Sequence, residues 1–269
     1  MCLLTLAWRW HQRYPLVFVG NRDEFYARPT QAAHWWPGTN PRGRMLGGRD
    51  LEAGGTWLGL REDGLFATVT NVREPTARRA GERSRGALIT SLLAPVEADA
   101  DPLSPLTRLR EEGDCYAHYN LLAGTLGADS QLLYANNVDD ESRPLAPGLY
   151  ALSNHRLDTP WPKALRTRKG LGTILDETHD EPAIVDALMQ LMADRSTAAV
   201  EDLPPTGLAP ERELALSSPF IHTQGYGTRA TTVILARDDG RVRFIEQSFD
   251  ALGKPNGRVD ESFTLVSPF

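Results

Sequence analysis

MCLLTLAWRWHQRYPLVFVGNRDEF, residues 1–25, decides how this chain is read. Residues 2–8 and 15–20 are apolar, β-branched or aromatic runs, and the polar patch Arg9 to Arg13 between them marks the turn of a β-hairpin. Antiparallel pairing brings the end of the second run beside the start of the first. Cys2 is thereby set next to Asn21, Arg22 and Asp23. A cysteine opening an apolar run is often only a small buried hydrophobe. This chain has just two, Cys2 and Cys115, and one of them stands directly behind the initiator.

Composition narrows the function classes. With 269 residues the chain is long enough to bury a sizeable core, and nothing in it marks a linker or a repeat, so one domain spanning 1–269 is expected. A net charge of -6 argues against a broad nucleic-acid surface. No apolar run approaches membrane-spanning length, and Arg9 interrupts the first run too early for a secretory signal, so a soluble, cytoplasmic protein is expected. Two distant cysteines give no disulfide framework, and no CxxC, HxxH or HExxH spacing offers a metal site. Walker-type and GxGxxG phosphate loops are absent as well. No cofactor is signalled.

Outward from the first hairpin, GTWLGLREDGLFATVTN reads as a second one turning at Asp63-Gly64, and TRATTVILARDDGRVRFIEQSF as a third turning at Asp239-Gly240. YNLLAGTL, SQLLYANNV, GLYALSN and the tail ESFTLV read as further strands. SRGALITSLL is a helix with Ser84 as its cap, PLTRLREEGDCYAHY a second helix, and the stretch from Trp161 to Asp194 is helical, with Pro182 in a first turn. The Pro-rich segment Ala199 to Pro210 reads as a lid or surface loop. Strand pairs alternating with helical blocks do not make a parallel βαβ chain. They predict an α+β fold of antiparallel sheets with helices packed outside.

Several strands run out in the same kinds of residue: Asn21, Arg22, Asp23 and Glu24 after the second, Asn71 after the fourth, Asn154 after GLYALSN, and Arg229 at the head of the third hairpin. Asn and Asp are ordinary turn residues, which accounts for any one of them. Their grouping near Cys2 points to a polar site. Removal of Met1 would leave Cys2 with a free α-amine, a group that ordinarily titrates at about 7.7 to 8.0 and is able to take the proton from its own thiol. Arg22 would favour the thiolate, Asp23 would hold the ammonium form and return a proton, Asn71 and Asn154 would offer amide N–H groups to an oxyanion, and Arg229 would steady a carboxylate or the ionised network. Adjacent strand residues face opposite ways, so either Asp23 or the pair Arg22 and Glu24 faces the cysteine, Asp23 being the favoured reading.

Weaker signals surround this set. GGRDLEAGGTW, with Asp50 and Glu52, could lie over a ligand or simply turn tightly; Trp35, Trp36 and Trp57 could line an apolar pocket; Arg73, Arg78, Arg79, Arg83 and Arg85 form a local positive loop. Cys115 is expected to pack on its helix without a role, and His155 is the histidine nearest the proposed site.

MCLLTLAW, GNRDEF, GGRDLEAGGTWLGL, FATVTNVR, SRG, YNLL, LSNHRLDTPWPK and YGTRATTVIL together resemble the NRDE-motif family, also called the transport and Golgi organisation family, in order along nearly the whole chain. That family is grouped with the N-terminal nucleophile hydrolases, near penicillin V acylase, bile-salt hydrolase and acid ceramidase. The resemblance implies a four-layer αββα sandwich with Cys2 as nucleophile, Asp23 as acidic partner with Arg22 beside it, Asn71 and Asn154 at oxyanion and substrate positions, and Arg229 as the site arginine. The function it implies is hydrolysis of a non-peptide C–N bond in an acyl-amide substrate. Its alternatives are a non-catalytic carrier of haem or of a lipid or acyl-CoA-like ligand on the same scaffold, and a role in secretory organisation.

Overall fold

The computed structural model describes residues 3–37, 44–73, 83–94, 115–127 and 130–266. The first hairpin is β1 (Leu3–Trp8) and β2 (Leu16–Phe25), paired from Leu3↔Asn21 to Trp8↔Leu16. Six strands form one antiparallel sheet in the order β10 (Gly148–Leu152), β1, β2, β11 (Tyr226–Ala236), β12 (Arg241–Phe249), β13 (Pro255–Thr264). Seven form the other as a sequential meander: β3 (Thr30–Trp36), β4 (Met45–Asp50), β5 (Leu58–Arg61), β6 (Leu65–Asn71), β7 (Tyr119–Thr125), β8 (Gln131–Asn136), β9 (Glu141–Pro144). The hairpins turning at Asp63-Gly64 and Asp239-Gly240 are both present, with Gly64 and Gly240 at φ +89° and +80°. Glycine adopts that left-handed backbone without the steric cost of a Cβ.

The period of two along each strand sorts side chains into layers. Leu4, Leu6 and Trp8 of β1 and Leu16 and Phe18 of β2 meet Leu58, Leu60, Phe66 and Leu122 of the second sheet in the central core. The alternate residues Leu3, Ala7, Val17 and Val19 turn outward against α2 (Pro162–Glu177) and α3 (Glu181–Met192), through Leu171, Leu175, Ile184 and Leu188. On the far side of the second sheet, Leu88, Ile89 and Leu92 of α1 (Arg85–Leu92) pack on Val69 and Leu121. Both faces of the central strands are apolar because both are covered, each buried Leu or Phe contributing about 2 kcal/mol by leaving water. The expected αββα sandwich follows.

Helix boundaries match their sequence signals. Ser84 caps α1, its Oγ accepting the Gly86 N–H at 3.3 Å, and Asp180 caps α3, its Oδ2 accepting the Ala183 N–H at 3.2 Å, with Pro182 in the first turn. The Ala199 to Pro210 segment holds a single 3-10 turn (Val200–Asp202) and leads into α4 (Pro210–Ala215). Most of the expected helix before Cys115 lies outside the described residues, and Cys115 itself is exposed. No helix among the described residues is long and apolar enough to cross a membrane.

The NRDE stretch departs from the expected strand end. Asn21 to Phe25 continue β2, because β11 supplies partners: Thr231↔Asn21, Ala230↔Arg22, Thr228↔Asp23 and Gly227↔Glu24, with the register shifting between Thr228 and Ala230. Tertiary pairing thus overrides the poor strand propensity of Asn and Asp.

Candidate functional site

Alternation along β2 divides the NRDE residues between two faces. Asn21 and Asp23 point toward the outer helices. Asn21 Nδ2 donates to the carbonyls of Met192 and Pro219 at 2.9 Å, and its Oδ1 accepts from Thr231 Oγ1 at 2.6 Å, which locks it as a structural tie. Asp23 Oδ1 accepts from Thr228 Oγ1 at 2.6 Å, and the same hydroxyl accepts the Ile221 N–H. Arg22 and Glu24 point between the sheets. Arg22 is 4% exposed, lies 4.2 Å over the centroid of the Trp57 ring, donates to Thr30 Oγ1 at 3.1 Å and sits 3.9 Å from Glu24. Burial of a guanidinium is tolerated because the indole face, a hydroxyl and a carboxylate all oppose its charge.

A cleft of about 130 Å³ opens where β2, β4 and β6 end and α1 begins. Arg22, Asp23 and Glu24 line it from β2, Arg28 and Asp50 from the next turns, Asn71 and Val69 from β6, and Arg83, Ser84, Arg85 and Gly86 from the start of α1. Both Arg22 and Asp23 border this cleft, but their side chains leave β2 on opposite faces, that of Asp23 bonded to Thr228. Arg28 grips Asp50 through Nε at 2.9 Å and Nη2 at 2.8 Å, and reaches Glu52 at 3.2 Å. Burial opposes ionisation of Asp50, but Arg28 and the N–H groups of Ala53 and Glu52 outweigh it and hold the carboxyl below its usual range.

The other expected residues stand around this cleft. Asn71 presents an exposed side chain into it, and its backbone carbonyl accepts from Asn154 Nδ2 at 3.2 Å. Asn154 is 6% exposed and sits behind Asn71, where Arg73 contacts it twice: its N–H donates to the Asn154 carbonyl at 2.6 Å and its guanidinium reaches Oδ1 at 3.5 Å. Asn120 Nδ2 holds the same segment by donating to the His155 carbonyl at 2.7 Å and to Thr70 Oγ1 at 3.1 Å. Arg229 occupies the register shift in β11 and donates to the carbonyls of Phe25, Tyr26 and Arg28 at 3.0 to 3.2 Å, closing the β2–β3 turn. Cys2 lies outside the described residues; its neighbour Leu3 is paired with Asn21.

The model of the family described as Transport and Golgi organisation 2 matches residues 1–251. The chain belongs to that family. Transport and Golgi organization protein 2 homologues of Bos taurus and Homo sapiens are 37% and 34% identical to it, each match covering 87% of both chains. The Drosophila melanogaster protein is 27% identical over 93% of this chain and 91% of its own. Among solved structures, a variant of the conjugated bile acid hydrolase from Clostridium perfringens superposes with a TM-score of 0.50 over 99% of this chain and 98% of that one, at 9% identity. That likeness is one of fold alone, two stacked antiparallel sheets with helices outside them.

The weaker sequence signals divide. Asp50, Trp57, Arg83 and Arg85 do line the cleft. The glycine pairs around Asp50 serve packing: a Cβ on Gly48 would lie 2.4 Å from the Trp57 ring, and one on Gly55 2.5 Å from the Gly86 backbone. Arg73 instead pairs with the buried Glu213 at 3.2 Å and lies over Trp161; Arg78 and Arg79 fall outside the described residues. Trp35 packs on Phe263 and Trp36 donates to the Gly47 carbonyl at 2.9 Å. His155 is engaged structurally, its Nδ1 2.9 Å from Thr159 Oγ1. Arg28 and Glu246 were missed, Arg28 because its ion-pair partners are distant in sequence, and Glu246 because a glutamate in a strand ordinarily faces water.

Proposed function

We propose that this protein is an N-terminal cysteine hydrolase of a non-peptide acyl-amide bond. One observation carries the reading: the Leu3↔Asn21 pair, the first described rung of the β1–β2 ladder, stands one residue before Arg22, which lines the cleft with Asp23 and Asn71. Cys2 directly precedes Leu3 in the sequence. The sandwich is that of a family of folds that includes a conjugated bile acid hydrolase, an enzyme named for cleaving an acyl conjugate.

The chemistry follows from the groups available. Once Met1 is removed, the Cys2 α-amine accepts the thiol proton and the Arg22 charge favours the thiolate. Sulfur attacks the acyl carbon, the C–N bond breaks, and the ammonium proton passes to the departing nitrogen. Asn71 offers its amide N–H to the oxyanion of the tetrahedral intermediate. Water then attacks the thioester, giving the carboxylic acid and regenerating the thiol. Asn154, Arg73 and Arg229 act by holding Asn71 and the β2–β3 turn in place.

The four arginines of the cleft favour a second reading, non-catalytic retention of a carboxylate- or phosphate-bearing ligand such as a lipid or acyl-CoA-like molecule. Haem fits less well. Among the described lining residues none is His, Cys, Met or Tyr, so none of them supplies an axial iron ligand.

The experiment that separates the readings incubates the full chain with a panel of N-acyl amides and measures released amine. Hydrolysis requires release that Cys2→Ala abolishes. No release from any member, together with acyl-CoA uptake unaffected by Cys2→Ala, establishes the carrier instead.

A further inference from the structure

Glu246 of β12 is a fully buried carboxyl on the same sheet face as Arg22. The ladder pairs Gly20, Thr232 and Glu246 in one row across β2, β11 and β12, and Arg22 with Ala230 in the next row, so all five share the face toward the second sheet. The positions between the two charges are small. Glu246 is 1% exposed; its Oε1 accepts the Ala33 N–H at 2.7 Å, which the register shift between Gln31 and His34 frees from the β3–β4 ladder. Its Oε2 and the Thr232 Oγ1 beside it are buried, and among the described residues they have no partner other than each other.

We propose that Glu246 is a proton-binding site behind the cleft and a positioning residue for Arg22. When Glu246 is neutral, the arginine's charge acts outward on the cleft and Cys2; when it is ionised, part of that charge is compensated from within. The inference rests on Arg22 serving Cys2, as in the proposed hydrolysis. Burial pushes the Glu246 carboxyl up to about 7, with the Ala33 N–H, the Arg22 cation and the Thr232 dipole pulling it back. The change of state therefore falls near neutrality.

Other charges around Glu246 are engaged elsewhere. On β2, Glu24 faces Arg22. On β13 the direct partner is Val259; Glu261, on the same face, accepts from Trp35 Nε1 at 3.4 Å, and the flanking Arg258 and Asp260 face the opposite side, where Asp260 binds Arg243. On β3, His34 beside Ala33 has its Nδ1 2.9 Å from the Ala32 carbonyl. On β11, Arg229 is committed to the carbonyls of the β2–β3 turn. A buried carboxyl that is poised to titrate beside a cleft cation is a functional-site signature.

The test is a carbon-13 NMR pH titration of the full chain labelled at glutamate carboxyls. The resonance missing in Glu246→Gln should titrate near neutrality in the wild type, and its midpoint should rise by about one unit in Arg22→Gln. If Glu246→Gln does not fold, Thr232→Val identifies the resonance by shifting it upward. A midpoint in the ordinary glutamate range, or one unmoved by Arg22→Gln, overturns the proton-binding site. The positioning role is read from the pH profile of Cys2 alkylation, which should show an inflection near neutrality that Glu246→Gln removes. Superimposable wild-type and Glu246→Gln profiles overturn that role. Failure of the hydrolase reading would appear separately, as absence of amide cleavage with the Glu246–Arg22 coupling intact.

Discussion

The Arg22 guanidinium lies 4.2 Å from the centroid of the Trp57 indole, and Gly48 makes room for that ring, since a Cβ there would come within 2.4 Å of it. Three residues from β2, β4 and the approach to β5 thus form one stack under the cleft. The stack sets where the cleft's most buried cation stands.

Gly48→Ala should therefore destabilise the protein by about 1 to 3 kcal/mol through overpacking, and Trp57→Leu by about 3 kcal/mol through lost contacts and the lost cation–π interaction. The double variant should cost clearly less than the sum, because leucine vacates the space the new methyl needs. Denaturant unfolding of the four proteins checks this, and strict additivity would show that the two sites do not share the stack.

Glu246 has a definite signature in stability. Its folded-state pKa, about 7, is raised above that of an unfolded glutamate, about 4.3, so the folded chain binds the proton more tightly. Below about pH 4 the residue is neutral in both states and imposes no penalty. Between about pH 4 and 7 stability falls as the unfolded chain ionises first, and above that the penalty is constant, on the order of 3 kcal/mol. Glu246→Gln should match the wild type in acid and exceed it increasingly up to neutral pH. Thermal unfolding at a series of pH values measures the difference, and parallel curves would contradict it.

Asp50 behaves in the opposite sense. Its carboxyl is held below the usual range, so the stability from its Arg28 pair is present above the unfolded aspartate pKa, about 3.9, and is lost as pH falls through the lower folded value. The pair is partly exposed, and Asp50→Asn should cost about 1 kcal/mol at neutral pH, with the gap closing in strong acid. A gap that stays constant down to the acid limit would show that packing, rather than charge, sets the cost.

Behind Asn154, the Arg73–Glu213 pair ties the segment after the Pro-rich loop to the cleft wall. Glu213 is 5% exposed, and its replacement by alanine leaves Arg73 uncompensated, at a cost of about 3 kcal/mol. Replacing both residues should cost less than Glu213→Ala alone. Chemical denaturation of the single and double variants decides this.

The parts of the fold legible in the sequence were those set by local chemistry. Asp63-Gly64 and Asp239-Gly240 turn as written, Ser84 caps as its type dictates, Pro182 sits in a first turn, and apolar runs mark β1, β7 and the second half of β11. What stayed hidden depends on distant partners. β4 reads as MLGGRD, a poor strand by composition, because its glycines answer to Leu58 and Trp57 across the sheet. β3 breaks its own period at a register shift, and β9, the exposed edge ESRP, carries no apolar signal. The polar half of β2 is a strand only because β11 pairs with it.

For the site, chain order alone set Asn21 to Asp23 beside Cys2; the described ladder begins at Leu3↔Asn21, and Cys2 lies outside it. Sequence left open which of Arg22, Asp23 and Glu24 faces the cysteine. In the structure all three line the cleft, Arg22 from the inter-sheet face and Asp23 from the helix face. Arg28 and Glu246 complete the surroundings through ion pairs and burial that no sequence spacing announces.

The most direct measurement is an intact mass of the purified chain before and after exposure to an activated acyl-amide. The account predicts a chain lacking Met1, a single acyl adduct on Cys2, and loss of that adduct as water discharges the thioester. A folded protein that keeps its methionine, or that exposes Cys2 at its N-terminus yet takes up no acyl group, would contradict it.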